Sequence, residues 1–434
     1  MTSLARSIYS LALRAAQPLM LRKLQRRGQH EPGYLHAIDE RLARYDAPAR
    51  TGALWIHAVS LGETRAAAIL VQALRERDPS LRLLLTHGTA TGRAEGERLL
   101  QAGDQQAWLP WDTPQAVARF LDHFQPCAGV LMETEVWPNL TAACAQRGIP
   151  LALANARLSP KSLRKTLRLR ALARPSFGAL AAVWAQSEED AQRLSRVGAR
   201  VSAVVGNLKF DAQPDPVQLT RGRNWNGYLK QPVVMFASSR EGEEEEFFRE
   251  VALRREAGLR WLLVPRHPQR FEEVAELATE AGLTISRRTD WGPDGPDGRA
   301  LLAQVWLGNT LGEMPLYYGL SDAALLGGSY APLGGQNLIE AAACGCPVVM
   351  GPHTFNFEGA SAHAVEAGAA LRAPDLPQAI DQIVELVQDK ARRAHMGQAA
   401  THFAQAHRGA ASRTADALFA LMARTPPTSA PAGR

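Results

Sequence analysis

Cysteine is scarce: four in 434 residues, Cys127, Cys144, Cys344 and Cys346, at spacings that fit neither a zinc quartet nor a disulfide framework. A disulfide-stapled secreted scaffold is excluded, and a reducing, cytoplasmic setting is expected. Cys344 and Cys346 flank Gly345 ahead of an apolar run and read as small buried packing residues. Long hydrophobic runs are missing as well. No stretch approaches the roughly 20 uncharged residues that span a bilayer, and no A-x-A-like cleavage site follows the N-terminal segment, so neither a spanning helix nor a signal peptide is expected. Internal repeats and recognisable nucleic-acid-binding motifs are absent, which argues against a nucleic-acid partner. Asp and Glu are absent from residues 1–30, which carry Arg6, Arg14, Arg22, Lys23, Arg26 and Arg27 among Leu4, Ile8, Leu11, Leu13 and Leu19. That pattern predicts a basic amphipathic helix that docks on an anionic membrane surface, with a helix packed on its own domain as an equal alternative.

What is present is the composition of a globular chain, 46% apolar and 21% charged, with Lys+Arg (49) exceeding Asp+Glu (43). A sequence pI near 9.3 favours an anionic partner. The length suits two domains. Short apolar runs alternate with helical patterns through 53–59, 81–86, 129–132, 151–154, 183–186 and 201–205, the signature of βαβ units around a parallel sheet. A second series follows at 233–237, 261–264, 305–307, 323–326 and 347–350. The α/β reading is of two Rossmann-like domains, 31–210 and 232–408, facing each other across a cleft as in the glycosyltransferase-B architecture. Residues 211–231, with Pro214 and Pro216, read as a linker. Residues 409–424 read as a C-terminal helix and the Pro- and Ser-rich 425–434 as a disordered tail.

Ligands of open α/β sheets bind beyond the carboxyl ends of the strands, and the polar motifs stand there. In His57-Ala58-Val59-Ser60-Leu61-Gly62-Glu63-Thr64, Glu63 opens a helix after a strand. It reads equally as a general base for an acceptor hydroxyl or as an acid set against the helix dipole. Met132-Glu133-Thr134-Glu135-Val136-Trp137-Pro138-Asn139 puts two carboxylates at another strand end, with Trp137 and Pro138 starting the next helix. Asn155-Ala156-Arg157-Leu158-Ser159 offers polar contacts or a cap through Ser159. Residues 161–174 (KSLRKTLRLRALAR) hold no acid and suit an anionic headgroup, or form a solvated helix face. Lys209 closes the first half, where it could stabilise charge in a transition state.

In the second half Pro265, Arg266 and His267 form a Pro-bounded turn suited to phosphate or base recognition, with Arg266 carrying more weight than the histidine. Gly327-Gly328-Ser329 and Gly334 through Glu340 make a glycine-rich loop running into a helix, whose N–H groups could approach a phosphate.

The segments HAVSLGET, METEVWPN, NARLS, NLKFD, VPRHPQRF, NTLGEMPLYYG, GGQNLIEAA and MGPHTFNF stand in the order and approximate spacing of the bacterial 3-deoxy-D-manno-octulosonic acid (Kdo) transferases, and the chain resembles that family over nearly its whole length. The resemblance implies a glycosyltransferase-B fold. It also implies an inverting, metal-independent transfer of Kdo from CMP-Kdo to a lipid A precursor, with no cofactor beyond the donor substrate. It assigns Glu63 as catalytic base and Glu133 and Lys209 to transition-state stabilisation. CMP recognition falls on Pro265, Arg266, Leu311, Gly312, Glu313, Asn337, Leu338, Ile339 and Glu340. The implied location is the cytoplasmic face of the inner membrane, peripheral or N-terminally anchored. A nucleotide-sugar epimerase, a glycosyltransferase for soluble acceptors and a non-catalytic nucleotide- or lipid-binding protein are the rival readings.

Overall fold

Two all-parallel sheets of seven strands each organise the chain, and the computed structural model describes residues 4–46, 48–254 and 258–424. The first sheet comprises β1 (Leu54–His57), β2 (Leu83–His87), β3 (Gln105–Trp108), β4 (Ala128–Met132), β5 (Leu151–Ala156), β6 (Ala182–Ala185) and β7 (Ala203–Val204), in the order β3-β2-β1-β4-β5-β6-β7. The second comprises β8 (Val233–Ser239), β9 (Arg260–Pro265), β10 (Ile285–Arg287), β11 (Val305–Leu307), β12 (Ala323–Leu326), β13 (Val348–Met350) and β14 (Ala370–Arg372), in the order β10-β11-β9-β8-β12-β13-β14. The chain reverses its direction of growth between β1 and β4 in one sheet and between β8 and β12 in the other. Parallel sheets need helical crossovers, and helices on both faces bury the central strands completely. Trp55 and Leu84 pack with Phe120 on one side of the first sheet, while Leu54, Ile56 and Leu85 pack with Leu70 and Leu74 on the other.

The expected α/β class with two Rossmann-like domains is what the chain forms, as units Met1–Asp211 with Arg408–Arg434 and Ala212–His407. The helix Ala410–Arg424 returns to the first unit, burying Ala411, Ala415 and Leu418 in the cluster that holds Leu70 and Leu74. Asp211 accepts the N–H groups of Gly409 and Ala411 at its start, and Arg413 donates to the Val205 carbonyl. The tail predicted over 425–434 lies outside the described residues.

One boundary is corrected. The predicted linker 211–231 contains the helix Pro216–Gly227, which begins with Pro216 in its first turn and the Asp215 carboxylate accepting the N–H groups of Val217 and Gln218. Proline read as a breaker is here a helix starter, because the first-turn N–H it lacks would have no partner anyway. The helix lies backbone to backbone against Met314–Leu320: a Cβ on Gly222 would stand 2.1 Å from the Leu316 carbonyl oxygen, and one on Gly319 would stand 2.5 Å from that of Leu219.

The N-terminal segment is a helix packed on its own unit, one of the two expected readings. Leu4–His30 forms one helix, anchored by a Ser10 Oγ hydrogen bond to Asn139 Oδ1 (3.1 Å), by buried Gly28 and by Arg27 over the Tyr34 ring. Its other side turns Leu4, Ile8, Leu11 and Leu19 outward at 60–77% exposure, one stripe at helical spacing. Among the described residues no helix is long and apolar enough to cross a membrane.

The Gly222 contact sets a stability test. Gly222→Val forces the two backbones apart, and the expected loss is about 1–3 kcal/mol or more, read as a lower denaturation midpoint. Gly227→Ala, at the open end of the same helix with nothing within 4 Å, leaves the midpoint unchanged.

Candidate functional site

In the first unit the polar side chains gather at the carboxyl ends of β1, β4 and β5 and in the short turn after β7. Glu63 sits in the first turn of the helix Leu61–Arg77 in a capping box: the Ser60 side chain accepts the Glu63 N–H, and the Glu63 carboxylate accepts the Val59 N–H (2.8 Å) and the Ser60 hydroxyl (3.2 Å). The cap therefore aims the carboxylate back toward the strand end. Its pKa is raised to about 7, chiefly by burial, with the Val59 N–H pulling it down and the nearby charges of Glu133 and Glu135 pushing it up. The first-turn position expected of Glu63 is thus observed, and this geometry holds a half-buried carboxylate near other acids.

Glu133 follows β4 with φ of 58°, a left-handed conformation that costs a non-glycine residue about 1 kcal/mol or more. Its N–H bonds to the Ala154 carbonyl, and the Arg157 N–H bonds to its own carbonyl. The turn delivers a carboxylate that is 4% exposed to two cations, Arg157 Nε at 2.7 Å and Lys209 Nζ at 3.4 Å. Burial alone would raise this carboxyl, but Lys209 and then Arg157 outweigh it and hold its pKa below the usual range. Asn155, fully buried with φ of 50°, accepts the Leu208 N–H through Oδ1 and so seats the turn that carries Lys209. Glu63, Glu133 and Lys209, distant in sequence, are thus neighbours in one unit. Glu135, half-buried, has its pKa raised by burial.

The flanking expectations resolve simply. Pro138 opens the helix Pro138–Gln146, whose N–H groups at Asn139 and Leu140 are capped by the buried carboxylate of Asp112. Ser159 caps the helix Pro160–Arg168 through the Ser162 N–H. His57 and His87 are buried with pKa values depressed to about 3 and about 4, chiefly by burial, so both are neutral structural groups.

In the second unit the named residues follow three strands, β11, β9 and β12, with β8 lying between β9 and β12. Pro265 ends β9 and is buried, and the Arg266 N–H bonds to the Ser239 carbonyl at the end of β8. The turn is braced by Arg270, which pairs with buried Glu244 (2.9 Å) and with Glu273 (2.7 Å). After β11, Leu311 is 74% exposed, Gly312 takes φ of 80°, and Glu313 pairs with Arg288 at 2.9 Å. After β12, Asn337 precedes the helix Leu338–Ala343 with a buried Oδ1 that has no hydrogen-bond partner among the described residues. Leu338 and Ile339 are 2% and 1% exposed, so their side chains belong to the core and only their backbone can meet a ligand. Glu340 is half-buried. The segment 351–357 backs the glycine loop: Asn356 bonds the Gly334 and Leu333 carbonyls through its N–H and Nδ2.

The phosphate cradle expected of Gly327-Gly328-Ser329 is not open. The Gly328, Tyr330 and Ala331 N–H groups are taken by the side chain of Glu243, a residue whose place in an acidic helix start hid it in the sequence.

The Glu133 cluster fixes a pH-dependent stability. A carboxyl with a depressed folded pKa contributes stability above its unfolded pKa and loses it as pH falls through the folded value. Lys209→Met removes one of the two cations, with an expected cost of roughly 1–3 kcal/mol at neutral pH. The deficit in urea denaturation closes as the pH is lowered and Glu133 takes up its proton.

Comparison with known proteins places these features in a family. The 3-deoxy-D-manno-octulosonic-acid transferase (kdotransferase) family matches residues 36–212. A 3-deoxy-D-manno-octulosonic acid transferase of Bordetella pertussis is 48% identical over 430 residues, 96% of this chain and 99% of the relative. One of Haemophilus influenzae is 32% identical over 429 residues, again 96% and 99%. Among solved structures, a putative UDP-N-acetylglucosamine 2-epimerase from Listeria monocytogenes superposes with a TM-score of 0.58 at 15% identity, covering 87% of this chain and 99% of that one. A glycosyltransferase from Rickettsia africae gives 0.56 at 14%, covering 87% and 100%. These two share the fold, that of glycosyltransferase-B enzymes, whereas the near-full-length relatives decide the family: the chain belongs to the 3-deoxy-D-manno-octulosonic acid transferases and is a glycosyltransferase.

Proposed function

We propose that the enzyme transfers Kdo, with inversion and without a metal, from CMP-Kdo to a lipid A precursor of the lipid IVA type. The observation that carries this reading is the pair of unlike carboxylates at the β1/β4 reversal: Glu63 with a pKa near 7, Glu133 held anionic by Lys209 and Arg157. A base is most effective when its pKa lies near the working pH. Glu63 takes the proton of the acceptor hydroxyl as that oxygen bonds to the anomeric carbon of Kdo. The bond from that carbon to the phosphate oxygen breaks, and CMP leaves with the electron pair. Glu133 supplies fixed negative charge toward the positive charge that develops on the sugar, and Lys209 keeps it ionised and in place. In the second unit Arg266 answers the phosphate, Asn337 and Glu340 the nucleoside hydroxyls, and the turns at Pro265 and at Leu311, Gly312 and Glu313 frame the base.

The lipid acceptor agrees with the surface of the first unit. The outward stripe Leu4, Ile8, Leu11 and Leu19, with Arg22, Lys23 and Arg26 further along the same helix, suits shallow insertion among anionic headgroups. The helices Pro160–Arg168 and Arg170–Gly178 add Lys161, Arg164, Lys165, Arg168, Arg170 and Arg174 around exposed Leu169. The corresponding location is the cytoplasmic face of the bacterial inner membrane, held peripherally.

Glu63→Gln keeps the capping box, since glutamine serves there as well as glutamate, but removes the base. Transfer to a tetraacylated lipid A precursor, followed by mass spectrometry, is expected to fall by about 100-fold or more, while CMP binding in calorimetry stays at the wild-type value. Because Glu63 acts deprotonated, kcat/KM of the wild type falls as pH drops below about 7, a limb that moves if Glu133 is changed to Gln. For the membrane, the double change Ile8→Asp and Leu11→Asp is expected to abolish flotation with anionic vesicles and to leave CMP binding intact. Flotation equal to the wild type removes this helix from the docking surface.

A further inference from the structure

The acidic run at the start of the helix Glu243–Leu253 plays no part in the reaction proposed above. Acids in a first turn ordinarily answer the helix dipole from the surface, and Glu245 does so, exposed. Glu243 and Glu244 are 2% and 0% exposed. Glu244 is committed to Arg270.

Glu243 is committed to backbone. Its Oε2 accepts the N–H groups of Arg240 (3.0 Å) and Gly328 (2.7 Å), and its Oε1 accepts those of Tyr330 (3.1 Å) and Ala331 (3.2 Å). One side chain thereby joins the loop after β8 to the loop after β12, across the point where the second sheet reverses. Burial pushes its pKa above the ordinary carboxylate range, against four N–H bonds that favour the anion. The two loops meet so closely that a Cβ on Gly327 would lie 2.2 Å from the Ser238 carbonyl oxygen, and Ser238 itself is held at φ of 55°.

A phosphate in such a loop would seek the N–H groups that Glu243 already occupies. What the bonded loop presents instead is Arg240, whose backbone N–H is one of the four. Its Cγ lies 3.5 Å from where a Gly328 Cβ would stand, and its guanidinium pairs only with the half-exposed Glu241 (2.9 Å) among the ion pairs of the described residues. Such a surface pair is weak and yields to a stronger anion. The Arg266 N–H bonds to the carbonyl of Ser239, the residue before Arg240, so the loop after β8 and the turn after β9 carry the two arginines on adjoining backbone.

We infer that Glu243 is a positioning residue of the donor half-site: by occupying the backbone N–H groups of the loop after β12 it fixes that loop against β8 and assigns the donor's anionic group to the guanidinium groups of Arg240 and Arg266. This rests on the reading that the second unit binds the CMP-activated sugar.

Three measurements on the full chain separate the possibilities: CMP affinity by calorimetry, amide exchange of peptides covering 327–333, and transfer kinetics against donor concentration. Glu243→Gln keeps one acceptor oxygen and turns an NH2 group on two of the four donors. Faster exchange in 327–333, CMP binding weaker by about tenfold or more, and a raised donor KM with kcat changed far less are expected, since each lost charge-assisted bond is worth that much. Glu245→Gln changes none of these. Arg240→Ala is expected to weaken CMP by about tenfold with exchange in 327–333 unchanged. Wild-type CMP affinity in Glu243→Gln, with or without faster exchange, overturns the positioning role. Should that variant not fold, Arg240→Ala decides, and unchanged CMP affinity there overturns the inference. A wild-type chain that binds no CMP instead defeats the underlying donor reading, whatever the variants do.

Discussion

A carboxylate taken out of water must keep a proton, find a cation or be surrounded by N–H donors, because an unpartnered buried charge costs several kcal/mol. The strand-end loops of this protein are organised by that constraint, met in three ways. Glu63 moves toward the protonated form, its pKa raised to about 7. Glu133 stays ionised against Lys209 and Arg157. Glu243 takes four backbone N–H groups, and Asp112 caps a neighbouring helix through two more. Each solution pins a loop, so the cost of burial is returned as fixed geometry.

The placement follows from parallel-sheet topology. Adjacent crossovers that run in opposite directions leave the loops after the two central strands without a helix between them. Glu63 and Glu133 follow the two strands at the reversal of the first sheet, and Glu243 and the glycine loop follow the two at the reversal of the second. Of the six non-glycine residues at positive φ among the described residues, Glu133 and Ser238 stand at the ends of strands at these reversals, and Asn155 near the end of β5 beside one. Backbone strain and polar burial are concentrated at the same places, and the packed strands below over-determine both.

Eleven of the fourteen strands are legible as apolar runs, and those missed are β3, β10 and β14. All three are edge strands with polar residues, Gln105-Gln106, Ser286-Arg287 and Arg372, since one side of an edge strand pairs with nothing. The helix Pro216–Gly227 was hidden because its start, Asp215-Pro216, carries the same residues as a loop, and only the helix it touches distinguishes the two. The N-terminal helix was legible, as was a helix at the C-terminus, but that this helix completes the first unit follows from buried Ala411, Ala415 and Leu418. Glu63, Glu133 and Lys209 in the first unit and Arg266 in the second stand out as charged residues next to strand ends. Glu243 does not, being one of four consecutive acids of which two face the interior.

By itself the sequence determined most of the elements, the α/β class and which polar residues lie just beyond strands, because hydrophobic periodicity and turn chemistry are local properties that a window of the chain displays. Tertiary structure alone decided which carboxylate has its pKa raised to about 7, which is paired and which is consumed by backbone. Those outcomes depend on desolvation and on partners 76 residues away for Glu133 and Lys209, or 85 for Glu243 and Gly328. Separation in sequence carries no information about such pairs; the order in which strands join a sheet does.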